Sequence, residues 1–229
     1  MAYLEWGDPE NDRVLVCVHG LTRCARDFDQ LAVALSDRYR VVCPDVAGRG
    51  DSDWLPDPML YQLPQYVGDM VTLVARLDVE SVHWLGTSMG GLIGMAPAFP
   101  DLASAEKYMR TVLATFGPHT DAQWSFLTEI VLRKNADGSL RLHYDPKIAE
   151  PFRATVPDKD LELWPLWDAI RCPTLVIRGA LSDLLTKETC EKMSGRGPKA
   201  QVVELPGIGH APTLLHDDQV GIVRDFLLS

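Results

Sequence analysis

The sequence has no long apolar run, no basic surplus and no regular spacing of cysteines, and each lack removes a class of function. No stretch reaches the roughly 18 consecutive apolar residues that a membrane helix needs. The first residues, Met1-Ala2-Tyr3-Leu4-Glu5-Trp6, lack the basic start and apolar core of a signal peptide. A formal net charge of −10 argues against a nucleic-acid partner, because phosphate binding requires clustered Lys and Arg. The five cysteines, Cys17, Cys24, Cys43, Cys172 and Cys190, form no C-x-x-C pair. An odd, dispersed set fits reduced thiols and a cytoplasmic location, and offers neither a disulfide framework nor a zinc site. No metal and no cofactor is expected, and the sequence does not reveal an oligomeric state.

What remains is an ordinary globular composition. At 229 residues and 46% hydrophobic, the chain suffices for one α/β domain with a small insertion. Short β-branched runs alternate with amphipathic ones, which predicts a mostly parallel sheet flanked by helices. Residues 13–18, 40–45, 81–85 and 174–178 read as strands buried on both faces, and 201–205 as a strand nearer an edge. Apolar stripes at helical spacing run through 27–35, 65–77 and 220–228. From about 116 to 170 the chain is rich in Trp, Pro and charge, with a turn signal at 135–139. This reads as a cap inserted between strands.

Three segments carry chemistry. Gly86-Thr87-Ser88-Met89-Gly90-Gly91 lies between an apolar strand and an apolar helical run. A serine on so tight a turn needs small neighbours, and its hydroxyl stands clear of the sheet, so Ser88 is the candidate nucleophile. A serine hydroxyl requires a base. His210, in Gly207-Ile208-Gly209-His210-Ala211-Pro212, follows the last strand, whereas the other histidines lie within strands or polar stretches. Asp183 follows the strand at 174–178 and precedes His210, giving the chain order Ser, Asp, His. The turn after the first buried strand, Val18-His19-Gly20-Leu21-Thr22-Arg23, nominates Leu21 N–H as one oxyanion donor, with Met89 N–H as the other. Arg23 is open to two readings, a substrate carboxylate contact or a salt bridge.

Together these segments, with the turn Asp45-Val46-Ala47-Gly48-Arg49-Gly50-Asp51-Ser52, resemble the α/β-hydrolase superfamily, in particular capped bacterial serine hydrolases with HG-x-x-R and GTSMGG segments. The resemblance implies a core of residues 1–96 and 171–229 with a helical cap at 97–170. It also implies two-step acyl transfer to water through an acyl-Ser88, without a cofactor. The expected substrate is a small, largely apolar carboxylic ester. Trp124, Phe126, Tyr144, Trp164 and Trp167 are the candidate pocket aromatics. The same triad would serve a C–C bond hydrolase or an acyltransferase, and a ligand-binding pseudoenzyme or receptor would keep the pocket without turnover. The chain departs from the family pattern where a buried strand is expected shortly after the nucleophile. Residues 100–115 are expected to be a cap helix, with a core strand and the start of the cap missing near 96–99. The alternative is a core strand at 111–115.

Overall fold

The computed structural model describes residues 1–87, 89, 98–99, 119–134, 138, 140–151 and 164–229. Strand β1 (Tyr3–Trp6) is followed by β2 (Val14–Val18), helix α1 (Asp29–Leu35), β3 (Arg40–Pro44), α2 (Leu63–Arg76) and β4 (Val82–Gly86). These strands form a four-stranded sheet in the order β1-β3-β2-β4, parallel except for β1.

Strand β2 sits inside this sheet, and its alternate side chains enter two separate cores. Val14, Val16 and Val18 pack with Tyr66, Met70, Leu73 and Leu77 of α2 or its C-terminal end. Leu15 and Cys17 pack on the other face with Leu31, Ala32 and Leu35 of α1. The closing helix α6 (Asp217–Leu228) adds Val220 and Val223 to that second face. Double-sided burial explains why β2 reads as an unbroken apolar run.

A second pair of parallel strands, β8 (Leu175–Gly179) and β9 (Gln201–Leu205), flanks helix α5 (Lys187–Gly195). The sequence reading did not anticipate α5, whose only buried residue is Cys190; a nearly all-polar helix leaves no apolar stripe to detect. Among the described residues no strand joins β4 to β8, and Trp84 on β4 is 50% exposed. That exposure is unusual for a strand paired in parallel with the central β2.

The inserted region contains helix α3 (Asp121–Glu129), closed at its start by a reciprocal capping box between Thr120 and Gln123. It also contains a small antiparallel sheet that the sequence reading did not foresee. Strands β6 (Leu132–Lys134) and β7 (Leu140–Leu142) flank the turn signal at 135–139, and β5 (Ala98–Phe99) pairs with β7. A short helix, α4 (Trp164–Ala169), leads back towards β8. The expected cap helix at 100–115 and its alternative strand at 111–115 lie outside the described residues. Among those residues, no helix is long and apolar enough to cross a membrane.

Candidate active site

The two loops that carry Asp183 and His210 leave adjacent parallel strands at the same level. Gly179 at the end of β8 is in register with Leu205 at the end of β9. Beyond the strands, Ala180 N–H donates to Leu205 O at 2.8 Å and Leu181 N–H to Ile208 O at 2.8 Å. This close approach requires glycine at 179, because a Cβ there would stand 1.9 Å from Gly209 O. The acid loop is held from beneath by Arg178. Its guanidinium donates to Leu185 O at 2.7 Å, Ala180 O at 3.3 Å and Ser182 O at 3.4 Å, and pairs with Glu204 at 2.6 Å. The histidine loop is tied to α6 by Leu214 N–H, which donates to Gln219 Oε1 at 2.9 Å.

The consequence is electrostatic. Burial holds the His210 pKa below its ordinary value, opposed by the Asp183 carboxylate. A depressed pKa keeps the imidazole neutral near pH 7, as a general base must be. Among the described residues neither ring nitrogen of His210 has a hydrogen-bond partner, so Asp183 acts on the ring by its charge and not through a hydrogen bond. Asp183 itself is solvent-exposed, next to the exposed Leu181 and Leu184.

Ser88 lies outside the described residues. Its predecessor Thr87 is fixed, with N–H donating to Val18 O at 3.0 Å, so the end of β4 is tied to the end of β2, where the His19–Arg23 turn begins. In that turn His19 is fully buried. Its Nδ1 lies 2.7 Å from Gly20 O, and its Nε2 accepts from Val46 N–H at 3.0 Å. A carbonyl can only accept and an amide N–H can only donate, so the partners fix the neutral Nδ1–H tautomer. Burial pushes the His19 pKa down, which favours that neutral form. In a trans peptide the C=O and N–H point in opposite directions. Holding Gly20 O therefore turns Leu21 N–H away from His19, and this N–H makes no hydrogen bond among the described residues. Nothing in the sequence pattern distinguished His19 from a bland buried histidine.

Arg23 resolves into the salt-bridge alternative. Its guanidinium engages Asp27 through two bonds of 2.6 and 2.8 Å. The turn at 45–52 is held together by Asp45. Asp45 accepts from Ala25 N–H at 2.7 Å and Asp51 N–H at 2.9 Å, and Gly50, at φ +51°, is the residue against which its carboxylate packs.

The candidate aromatics separate into groups. Tyr144 shares one apolar cluster with Leu21, and Phe126 and Met89 pack against it. Trp124 is buried with Leu127 and Leu215, with Phe126 again at the margin. Trp167 instead packs with Val176, Cys190 and Ala200, and its Nε1–H donates to Arg196 O at 3.2 Å. Trp164 lies beneath the Arg196 guanidinium, 4.6 Å from ring centre to Cζ. Trp164 and Trp167 thus belong to packing around β8, α5 and β9, not to the cluster that holds Leu21. Among the described residues no group of three or more His, Cys, Asp or Glu could hold a metal ion.

Parallel strands covered by helices, with Asp183 and His210 on loops at the ends of two of them, have the arrangement expected of an α/β hydrolase. Comparison with known proteins agrees: residues 15–223 match the model of the Alpha/beta hydrolase family, and the chain belongs to that family. It is similar to a 3-hydroxybutyrate-oligomer hydrolase from Cupriavidus necator, 46% identical over 99% of this chain and 92% of the relative. It also resembles a pimeloyl-[acyl-carrier protein] methyl ester esterase from Pectobacterium atrosepticum, 24% identical over 95% of each chain. Among solved structures, an alpha/beta hydrolase from Novosphingobium aromaticivorans superposes with a TM-score of 0.88 at 33% identity, covering 99% of this chain and 93% of that one. The alignment to the Cupriavidus protein spans 269 positions against 229 residues here, so at least 40 of its positions face no residue of this chain.

Proposed function

We infer that the protein is a serine hydrolase that cleaves small, largely apolar carboxylic esters, with esters of short hydroxyalkanoic acids as the preferred class. The observation that carries this reading is the junction of the β8 and β9 loops, which brings the Asp183 charge to bear on a neutral His210. The similarity to a 3-hydroxybutyrate-oligomer hydrolase supports the substrate class. The apolar cluster shared by Leu21 and Tyr144, with Met89 and Phe126 against it, supports an apolar acyl site beside the oxyanion donors.

In this reading His210 accepts the Ser88 hydroxyl proton as Ser88 Oγ attacks the ester carbonyl. The negative charge that develops on the carbonyl oxygen is received by Leu21 N–H and Met89 N–H. Collapse of the tetrahedral intermediate expels the alcohol, which takes its proton from His210, and leaves an acyl-Ser88. Water, deprotonated by His210, releases the acid in the second half-reaction. Asp183 supports the imidazolium that forms in each step.

Each CH₂ of the acyl chain buried in such a site adds about 0.8 kcal/mol, roughly fourfold in kcat/KM. With a series of p-nitrophenyl esters of increasing acyl length, kcat/KM is expected to rise, pass a maximum and fall. A linear 3-hydroxybutyrate dimer is expected to be hydrolysed at least as well as the best of them. A negligible rate throughout, with efficient cleavage of a C–C or amide bond, would overturn the ester reading.

A further inference from the structure

The geometry points to Arg49 as a positioning residue for the oxyanion donor Leu21, with the β6–β7 hairpin acting on the site through it. This inference rests on the assignment of Leu21 N–H as an oxyanion donor. Arg49 is fully buried, and among the described residues it has no carboxylate partner. Burying a guanidinium without a counter-ion is unfavourable unless its donors are satisfied by well-placed acceptors. Here Nε donates to Leu21 O at 2.7 Å, and Nη1 donates to Ala47 O at 2.7 Å and to Tyr66 Oη at 3.0 Å. The rings of Tyr61 and Tyr66 face its Cζ at 5.7 and 5.0 Å. Nη2 is left buried without a partner. A side chain needed only to fill this volume could be apolar and would avoid that orphaned donor. The specific benefit of the guanidinium is the hold on Leu21.

That hold completes a clamp. The Gly20 carbonyl is taken by His19 and the Leu21 carbonyl by Arg49, so both peptides flanking the Leu21 Cα are fixed. Without Arg49 the Leu21 carbonyl loses its partner, and the Leu21–Thr22 peptide is free to rotate and to tilt the neighbouring N–H.

Arg49 is in turn located by the inserted region. Residue 49 forms an isolated antiparallel bridge with Tyr144. Gly50 N–H donates to His143 O at 3.0 Å and Asp145 N–H to Gly48 O at 2.8 Å. Tyr61 Oη–H donates to Asp145 Oδ2 at 2.7 Å, from the ring that faces the guanidinium. The segment that follows β7 therefore sets the position of Arg49, and Arg49 sets the oxyanion turn.

The test compares the wild-type chain with Arg49→Met, Arg49→Lys and Tyr61→Phe in three measurements. These are steady-state hydrolysis of p-nitrophenyl butyrate, inhibition by an alkylboronic acid that forms a tetrahedral adduct, and fluorophosphonate labelling of Ser88. Arg49→Met is expected to lower kcat by about ten- to a hundredfold with KM within about threefold. Boronate affinity should fall in parallel with kcat/KM, which a merely structural loss would not produce in correctly folded protein. Arg49→Lys is expected to recover part of the loss, and Tyr61→Phe to show a smaller one of the same kind. Should Arg49→Met and Arg49→Lys fail to fold, Tyr61→Phe, which deletes one hydroxyl, decides. Wild-type kcat and boronate affinity in the folded variants, with Ser88 still labelled, would overturn the role of Arg49 alone. Failure of the wild-type chain to label at Ser88 would remove the underlying assignment and this inference with it.

Discussion

Acidification tests the buried His19 most sharply, because its neutral tautomer holds the turn on which Leu21 sits. The free imidazole has an ordinary pKa of 6.5, and burial lowers it in the folded protein. Above that value both states are neutral and the fold keeps its full stability. Below it the unfolded chain binds a proton that the folded chain does not, so stability falls with pH. His19 therefore removes stability progressively as the pH falls through and below 6.5. Protonation would also convert Nε2 into a donor facing Val46 N–H, now 3.0 Å away. His83, His119 and His210 are likewise held low by burial, so the wild-type slope contains their contributions too. The difference between wild type and His19→Asn isolates the one of interest. Asn cannot span both partners and should cost about 1–3 kcal/mol at pH 7.5 through a buried group left unpaired. Urea unfolding of both proteins at pH 7.5, 6.5 and 5.5 gives the two curves. They should converge towards acid, because only the wild type loses the contribution of His19. Parallel curves would refute the argument, since they would mean that His19 titrates alike in the folded and unfolded chains.

Gly179→Ala places a methyl group against the backbone oxygens of Gly209 and Ile208. The histidine loop must shift, and kcat/KM should fall by on the order of a hundredfold while the variant still folds; unchanged kinetics would show that the loop contact does not set His210. Trp84 carries a further prediction. Half of its surface, on the order of 100 Å², is exposed on a strand that has one partner among the described residues. On the expectation that a core strand is missing near 96–99, inserting there the corresponding stretch of the Cupriavidus relative should cover it and add about 2.5 kcal/mol from this side chain alone, read as a higher urea midpoint. An unchanged midpoint and unchanged Trp84 fluorescence would show that no core element is absent there. Finally, because burial depresses the His210 pKa, the acid limb of the kcat/KM profile should lie below pH 6.5. An acid limb above that value would contradict a neutral, buried base.

The fold was legible wherever burial is symmetric. Val14 to Val18 are apolar at every position because both sheet faces are covered, and β3 carries the same mark from Val41 to Pro44 and β8 from Leu175 to Ile177. Asp183 and His210 could be nominated because chain order and position after a strand are local properties. The contacts that hold them were not legible. Gly179 meets Gly209 across 30 residues of sequence, and Arg49 finds Leu21 across 28. The β6–β7 hairpin escaped notice because each strand has three residues and carries Arg or Lys among its leucines. Too few positions alternate to reveal a period of two. Five aromatics in the inserted region looked equivalent in sequence. Packing divides them, and Arg196 draws Trp164 and Trp167 towards the far strands by a cation–π contact and a carbonyl acceptor.

The most direct test of serine catalysis is labelling with a fluorophosphonate followed by peptide mass analysis. The account predicts one stoichiometric adduct on Ser88, absent in Ser88→Ala and slowed by at least about a thousandfold in His210→Ala, since the base that activates the hydroxyl is gone. An adduct on another residue, or labelling of Ser88 that proceeds unchanged in His210→Ala, would contradict it.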